Sequence, residues 1–124
     1  MNHSQVSKSD AVVEVLNAEG SAPVVLVCEH ASNHIPDRFE HLGLTVAART
    51  SHAAWDPGAL AVAENMSQQL AAPLVASRVS RLVYDCNRPP DAADAMPVRS
   101  EVIDVPRNAG LTDAQRAERI KAFY

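Results

Sequence analysis

Three short stretches of this 124-residue sequence gather side chains able to bind a metal, move a proton or hold an anion. The first is Glu29-His30-Ala31-Ser32-Asn33-His34, which follows the apolar run VVLVC directly. The second is Asp56, in HAAWDPGA, and the third is RLVYDCNRP, which carries Arg81, Asp85, Asn87 and Arg88. Imidazole nitrogen and carboxylate oxygen are ordinary ligands of Zn²⁺, and a catalytic zinc site uses three protein ligands and an open position. His30 with Glu29 or Asp56 provides two of them, and the third is not evident. A carboxylate such as Glu29 can carry a proton during hydrolysis. Arg81 and Arg88 each offer a rigid fork that grips a carboxylate through two hydrogen bonds and stays charged at every relevant pH. Asn87 and Asn33 lie beside these groups and are assigned with the arginines to substrate contact. The chemistry indicated is hydrolysis assisted by a divalent metal, zinc being expected, on a small anionic substrate.

Each residue also has a plainer role. Asp56 stands before Pro57, a pattern that starts a helix, so its carboxylate could serve only as an N-cap. Arg81 or Arg88 could pair with Asp85. His34 follows His30 by four residues, but Pro36 disfavours helix there and leaves it in a loop. His52 and Asp56 share the same spacing, so a structural pair, a cap and a ligand set remain open. Cys28 ends a buried run, where a thiolate is disfavoured, and packing suits it better than nucleophilic attack. Asn108 is a turn residue or a substrate hydrogen bonder, Tyr84 and Trp55 are core, and His3 and His41 are solvated.

The elements that must position these groups follow from periodicity. AVVEVL (11–16) reads as an edge strand after a polar leader, and VVLVC (24–28) as a strand covered on both faces. PDRFEHLGL gives one or two helical turns closed by Gly43, and 45–54 a short helix. A helix from Asp56-Pro57 through GALAVAENMSQQLAA buries Leu60, Ala63, Met66 and Leu70. LVAS (74–77) and RLVYDC (81–86) read as two more strands, the latter with alternating faces. Strand, helix, strand is a βαβ unit, so the expected class is α/β with a mostly parallel sheet. Residues 90–110 form a long irregular segment. Thr112 and Gln115 form a capping box that opens a helix with Ala117, Ile120 and Tyr124 on one side. The periodic pattern is still running at Tyr124, so the domain is expected to be incomplete. In parallel sheets ligands bind at the carboxyl ends of strands, which places the three stretches at one crevice.

Composition narrows the class. A chain with 47% hydrophobic and 21% charged residues suits one globular domain. A net charge of −4 gives no footprint for nucleic acid or an anionic membrane, so an anionic substrate must be held by local cations. No apolar run approaches the roughly 20 residues of a membrane span, and the N-terminus lacks an apolar signal region. A cytoplasmic location is the default, with Cys28 and Cys86 as free thiols. Exposed strand edges offer a route to a homo-oligomer.

Four segments in order, VLVCEHASNHIP, HAAWDPGA, SRLVYDCNRPP and NAGLT, resemble the N-formylglutamate amidohydrolase family across Val24 to Tyr124. The resemblance implies a three-layer αβα fold related to the zinc carboxypeptidase-like hydrolases. It makes 1–22 a leader with an edge strand and 23–124 the N-terminal portion of an amidohydrolase domain. It implies metal-assisted hydrolysis of the formamide bond of N-formyl-glutamate, giving formate and glutamate, in histidine breakdown. Carried over by motif, His30 is a metal ligand, Glu29 and Asp56 are acidic ligands or proton carriers, and Arg81, Asn87 and Arg88 contact substrate carboxylates. Members of the family are longer, and a Tyr-Pro-Tyr-His-like segment bringing a further histidine is expected after Tyr124. The EHASNHIP form resembles a broader branch, which leaves the acyl group open. The alternative is a non-catalytic fragment with weak metal or ligand binding. A cysteine hydrolase using Cys28 and His30 ranks last.

Overall fold

The computed structural model describes residues 11–124. The leader before them, His3 included, lies outside the described residues. The elements in chain order are β1 (Val13–Leu16), β2 (Leu26–Cys28), a helical turn over Asp37–Gly43, α1 (Val46–Arg49), α2 (Ala59–Leu70), β3 (Leu74–Ser77), β4 (Arg99–Ser100), β5 (Ile103–Asp104), a turn at Pro106–Asn108 and α3 (Asp113–Phe123). The class is α/β, as expected. No helix among the described residues is long and apolar enough to cross a membrane.

The main sheet has the order β1-β3-β2. β2 and β3 run parallel, joined through α2, so the βαβ unit is present. β1 is an edge strand, as AVVEVL suggested, but it pairs antiparallel with β3. The sheet is therefore mixed, not mostly parallel. The chain reverses between Leu16 and Leu26, so β1 runs against both parallel strands.

RLVYDC is not a strand. Residues 81–86 form turns, with Leu82, Val83, Tyr84 and Asp85 all buried. A buried backbone must still find hydrogen-bond partners, and here side chains provide them in place of a ladder. Asn108 Nδ2 donates to the Leu82 carbonyl at 2.7 Å, and buried Arg119 Nη1 donates to the Val83 carbonyl at 3.1 Å. The apolar run reflects burial in a core of Leu42, Leu82, Val83, Met96, Val105 and Phe123. Periodicity alone does not separate such a turn from a strand. Asn108 is thus a staple: it also donates to the Pro97 carbonyl at 2.8 Å and accepts from Arg119 at 2.6 Å.

A smaller core lies between α2 and the sheet, where Leu60 and Ala63 meet Cys28, Ala31, Leu74 and Ala76. Met66 and Leu70, expected there, are exposed, and Ser67 is buried in their place. Its hydroxyl donates to the Ala72 carbonyl at 2.6 Å, which closes the end of the helix. The Thr112–Gln115 capping box forms as expected. The buried side of α3 consists of Arg119 and Phe123 with half-buried Ile120, while Ala117 and Tyr124 face solvent. Arg119 belongs inside because it bonds the carbonyls above and lies 5.0 Å from the Phe39 ring centre, a cation–π distance. The 90–110 segment is irregular apart from the β4–β5 pair and the Pro106 turn.

Candidate functional site

His30 follows the end of β2, where strand pairing with β3 stops and the chain turns. Its backbone carbonyl accepts from the Asp56 amide at 2.9 Å, which ties the two segments together. α2 does not begin at Asp56. Gly58 holds the N-cap position with φ of 85°, a left-handed conformation natural for glycine, and no side chain caps the helix. The Asp56 carboxylate is thereby free of capping duty and turns to His30.

Both ring nitrogens of His30 face carboxylates. Nε2 lies 2.8 Å from Asp85 Oδ1, and Nδ1 lies 3.2 Å from Asp56 Oδ2. Asp85 is buried, its side chain only 4% exposed, and Arg81 Nη2 at 3.3 Å and the Asn87 backbone N–H at 3.1 Å also bond it. Arg81 Nη1 reaches toward Asp56 Oδ1 at 3.6 Å. Four of these side chains, His30, Asp56, Arg81 and Asp85, thus form one network drawn from three chain segments. The irregular backbone of 81–86 is what aims Asp85 at His30; an extended strand would have spaced these groups differently.

A neutral imidazole has one N–H. When the shorter, more buried bond to Asp85 uses it, the lone pair of Nδ1 and the oxygen of Asp56 face each other at 3.2 Å. Two electron-rich atoms in that arrangement can share a cation. The spacing suits a shared cation: metal–ligand bonds of about 2.0–2.2 Å leave two tetrahedral ligands roughly 3.3 Å apart. A carboxylate bonded to the other ring nitrogen, as Asp85 is, is the contact that would orient a ligating histidine. Among the described residues no group of three or more His, Cys, Asp and Glu is arranged to hold a metal.

The remaining expected residues are distributed more widely. Glu29 is half-buried beside the network, and its carbonyl accepts from the Cys86 thiol at 3.5 Å. Asn87 is exposed and contributes its backbone N–H to Asp85. Arg88 stands on the same turn but pairs with Asp94 at 2.9 Å, not with Asp85. The Asp94 bond raises the Arg88 pKa and lowers that of Asp94, in a partly exposed pair. Arg81, by contrast, does pair with Asp85. His52 pairs with Glu101 and not with Asp56. His34 lies exposed in a loop, as expected.

Asn33 lines a cavity of about 450 Å³ with Ser32, His34, Trp55 and Arg78. Ala31 and Trp55 in that wall are chain neighbours of His30 and Asp56, while the four network side chains themselves lie outside the lining. None of the ion pairs among the described residues involves Arg78. Sequence reasoning passed over Arg78 and gave Asp85 only an arginine as partner, not His30. The available signals were their places directly after β3 and within SRLVYDCNRP.

The thiols report the local field. Burial raises the Cys28 pKa most, and the nearby Asp56 and Glu29 charges raise it further. Burial likewise raises Cys86, followed by Asp85 and Glu29. A thiolate nucleophile is disfavoured by this environment, and the same negative field favours a cation.

Comparison with known proteins places this geometry in context. None of the curated proteins matches the chain. Among solved structures, the crystal structure of gene product Atu2144 from Agrobacterium tumefaciens superposes with a TM-score of 0.91 and 52% sequence identity. That match covers 94% of this chain and 46% of the other, so the chain spans about half the length of that relative. The family model described as N-formylglutamate amidohydrolase matches residues 22–124, which include all four quoted segments. The chain belongs to the N-formylglutamate amidohydrolase family.

Proposed function

We propose that this chain takes part in metal-dependent hydrolysis of the amide bond of an N-formyl or N-acyl amino acid, such as N-formyl-L-glutamate, with zinc as the cation. The observation that carries the reading is the facing pair of His30 Nδ1 and Asp56 Oδ2 at 3.2 Å, oriented from behind by Asp85. His30 and Asp56 would hold the metal. A bound divalent cation supplies polarisation of the amide carbonyl and a water whose pKa falls toward about 7.

The side chains of the chain divide the remaining work. Asp85 accepts the Nε2 proton of His30 and fixes the ring so that Nδ1 stays directed at Asp56. Arg81 neutralises Asp85 and steadies Asp56. Glu29, next to His30 in sequence, takes the proton from the attacking water and passes it to the departing amine. Asn33 and Arg78 line the cavity, and the Arg78 guanidinium, which enters no ion pair among the described residues, suits a substrate carboxylate better than Arg88, which Asp94 already occupies. Asn87 and Arg88 stand at the rim of the same turn as outer substrate contacts. The proposal extends to a three-layer αβα fold of the zinc carboxypeptidase-like kind for the whole domain, and to the cytoplasm, where free Cys28 and Cys86 persist.

A second reading rests on the absence of a three-ligand group among the described residues. On that reading the chain by itself binds metal weakly and does not turn over substrate. One experiment addresses both: calorimetric titration with Zn²⁺ alongside measurement of formate released from N-formyl-L-glutamate. Zinc binding that disappears in His30→Ala and Asp56→Ala but survives in His52→Ala supports the metal site. Formate release in the same samples separates the enzyme from the fragment. Zinc binding indifferent to His30 and Asp56 rejects the reading.

A further inference from the structure

Arg119 is 4% exposed, and none of the ion pairs among the described residues includes it. A charge removed from water ordinarily takes a counter-charge with it, because burying it alone is costly. Nη1 of Arg119 is engaged by the Val83 carbonyl and the Asn108 side-chain oxygen, both neutral. Its Nε and Nη2 have no bonding partner among the described residues, yet no fully buried side-chain nitrogen or oxygen there lacks one. These donors therefore open into the cavity that Arg119 lines, which measures about 220 Å³.

Arg38, Arg107, Phe39, Leu111 and Glu118 are also in its wall. The three arginines come from three places, the 37–43 turn, the Pro106–Asn108 turn and α3. The turns are fastened to each other: Glu40 pairs with Arg107, and a side chain added at Gly43 would come within 3.1 Å of Pro106 Cβ. The guanidinium carbons of Arg38 and Arg119 lie 4.6 and 5.0 Å from the same Phe39 ring centre. Glu118 is the carboxylate in the wall, and its 3.5 Å pair with Arg38 is half-exposed, so it offsets little of this charge. Burial lowers the Arg119 pKa most, with Glu118 acting against it and Arg116 with it.

We propose that this cavity binds a phosphoryl group, free or carried on a small organic ester, as the counter-ion of Arg119. Guanidinium forks match oxyanions through paired hydrogen bonds. A tetrahedral phosphoryl group can turn a separate oxygen toward each of three arginines, whereas a carboxylate has two oxygens in one plane. The cavity shares no lining residue with the Asn33 cavity and holds none of the His30 network, so it is a separate site.

The test is isothermal titration of the metal-free chain with inorganic phosphate at constant ionic strength, with acetate and chloride as comparison anions. The expected result is saturable one-to-one binding of phosphate that Arg38→Gln and Arg107→Gln each weaken by about tenfold or more. Glu118→Gln, which removes the negative charge from the wall, should tighten it. Arg99→Gln, in β4, and His30→Ala should leave it unchanged. Arg38 and Arg107 are half-exposed, so their variants should fold, and circular dichroism verifies this. If either does not fold, the lysine variant at that position, which keeps the charge and loses the fork, replaces it and should still weaken binding severalfold. No saturable phosphate binding, or binding indifferent to both arginine changes, overturns the proposal. So does binding that acetate or chloride matches, that Glu118→Gln weakens, or that Arg99→Gln or His30→Ala removes equally.

Discussion

Replacing Asp85 by asparagine tests the network at the position where burial makes charge matter most. The side chain keeps its size and one acceptor oxygen, but Oδ2 becomes an amide that meets the Arg81 guanidinium donor to donor. Charge-assisted hydrogen bonds contribute about 1.5–3 kcal/mol and neutral ones about 0.5–1.5, so the His30 bond at 2.8 Å weakens by about 1–1.5 kcal/mol. The Arg81 bond at 3.3 Å is lost, and because that guanidinium is partly exposed and keeps Asp56 nearby we discount its loss to about 1 kcal/mol. The sum is about 2–2.5 kcal/mol. An unfolding entropy of about 2.1 cal/mol/K per residue over 124 residues is about 260 cal/mol/K, so Tm should fall by about 8–10 °C. Scanning calorimetry at pH 7 measures the shift, and Asp94→Asn, which breaks only the surface pair with Arg88, should shift Tm by less than about 4 °C. Zinc affinity should also fall by roughly 10–100-fold, the usual cost of removing the carboxylate behind a ligating histidine. A Tm within about 2 °C of the wild type together with unchanged zinc affinity would refute the reasoning, because the buried pair would then be no better than an apolar substitute.

Two further outcomes follow. Asn108→Ala removes bonds to a buried and a part-buried carbonyl and to Arg119, and should cost about 3–5 kcal/mol in urea denaturation; a loss below about 1 kcal/mol would show that 81–86 holds its shape without the staple. In a Cys86→Ser background, Cys28 should react with iodoacetamide more slowly than an unfolded-chain thiol at neutral pH. Its pKa is raised, so the thiolate is scarce there and reactivity climbs only at higher pH; equal rates in folded and urea-unfolded protein would contradict the acidic, buried environment.

Local signals were legible where the chain's own chemistry suffices. The run before Cys28 marks a strand, but only over Leu26–Cys28 and at the sheet edge with Val27 63% exposed, not covered on both faces as expected; Thr112 with Gln115 specifies the start of α3 and LVAS specifies β3, because caps and short apolar runs act within a few residues. The family was legible in four ordered segments. RLVYDC shows the limit, since buried strand and buried turn share the same apolar composition and differ only in who bonds the backbone. Asn108 and Arg119 decide that, from 26 and 36 residues away along the chain.

The sequence by itself singled out His30, Asp56 and the Arg81–Arg88 segment as candidates for the chemistry, since residue type and place along the chain are local properties. Only the tertiary structure decided how they meet. Gly58 moved the helix start off Asp56, the 81–86 turn delivered Asp85 to His30, and Asp94 drew Arg88 aside while Arg78 was left to the cavity. These outcomes depend on hydrogen bonds between segments distant in the chain, and such partners are chosen by three-dimensional packing rather than by neighbours in sequence.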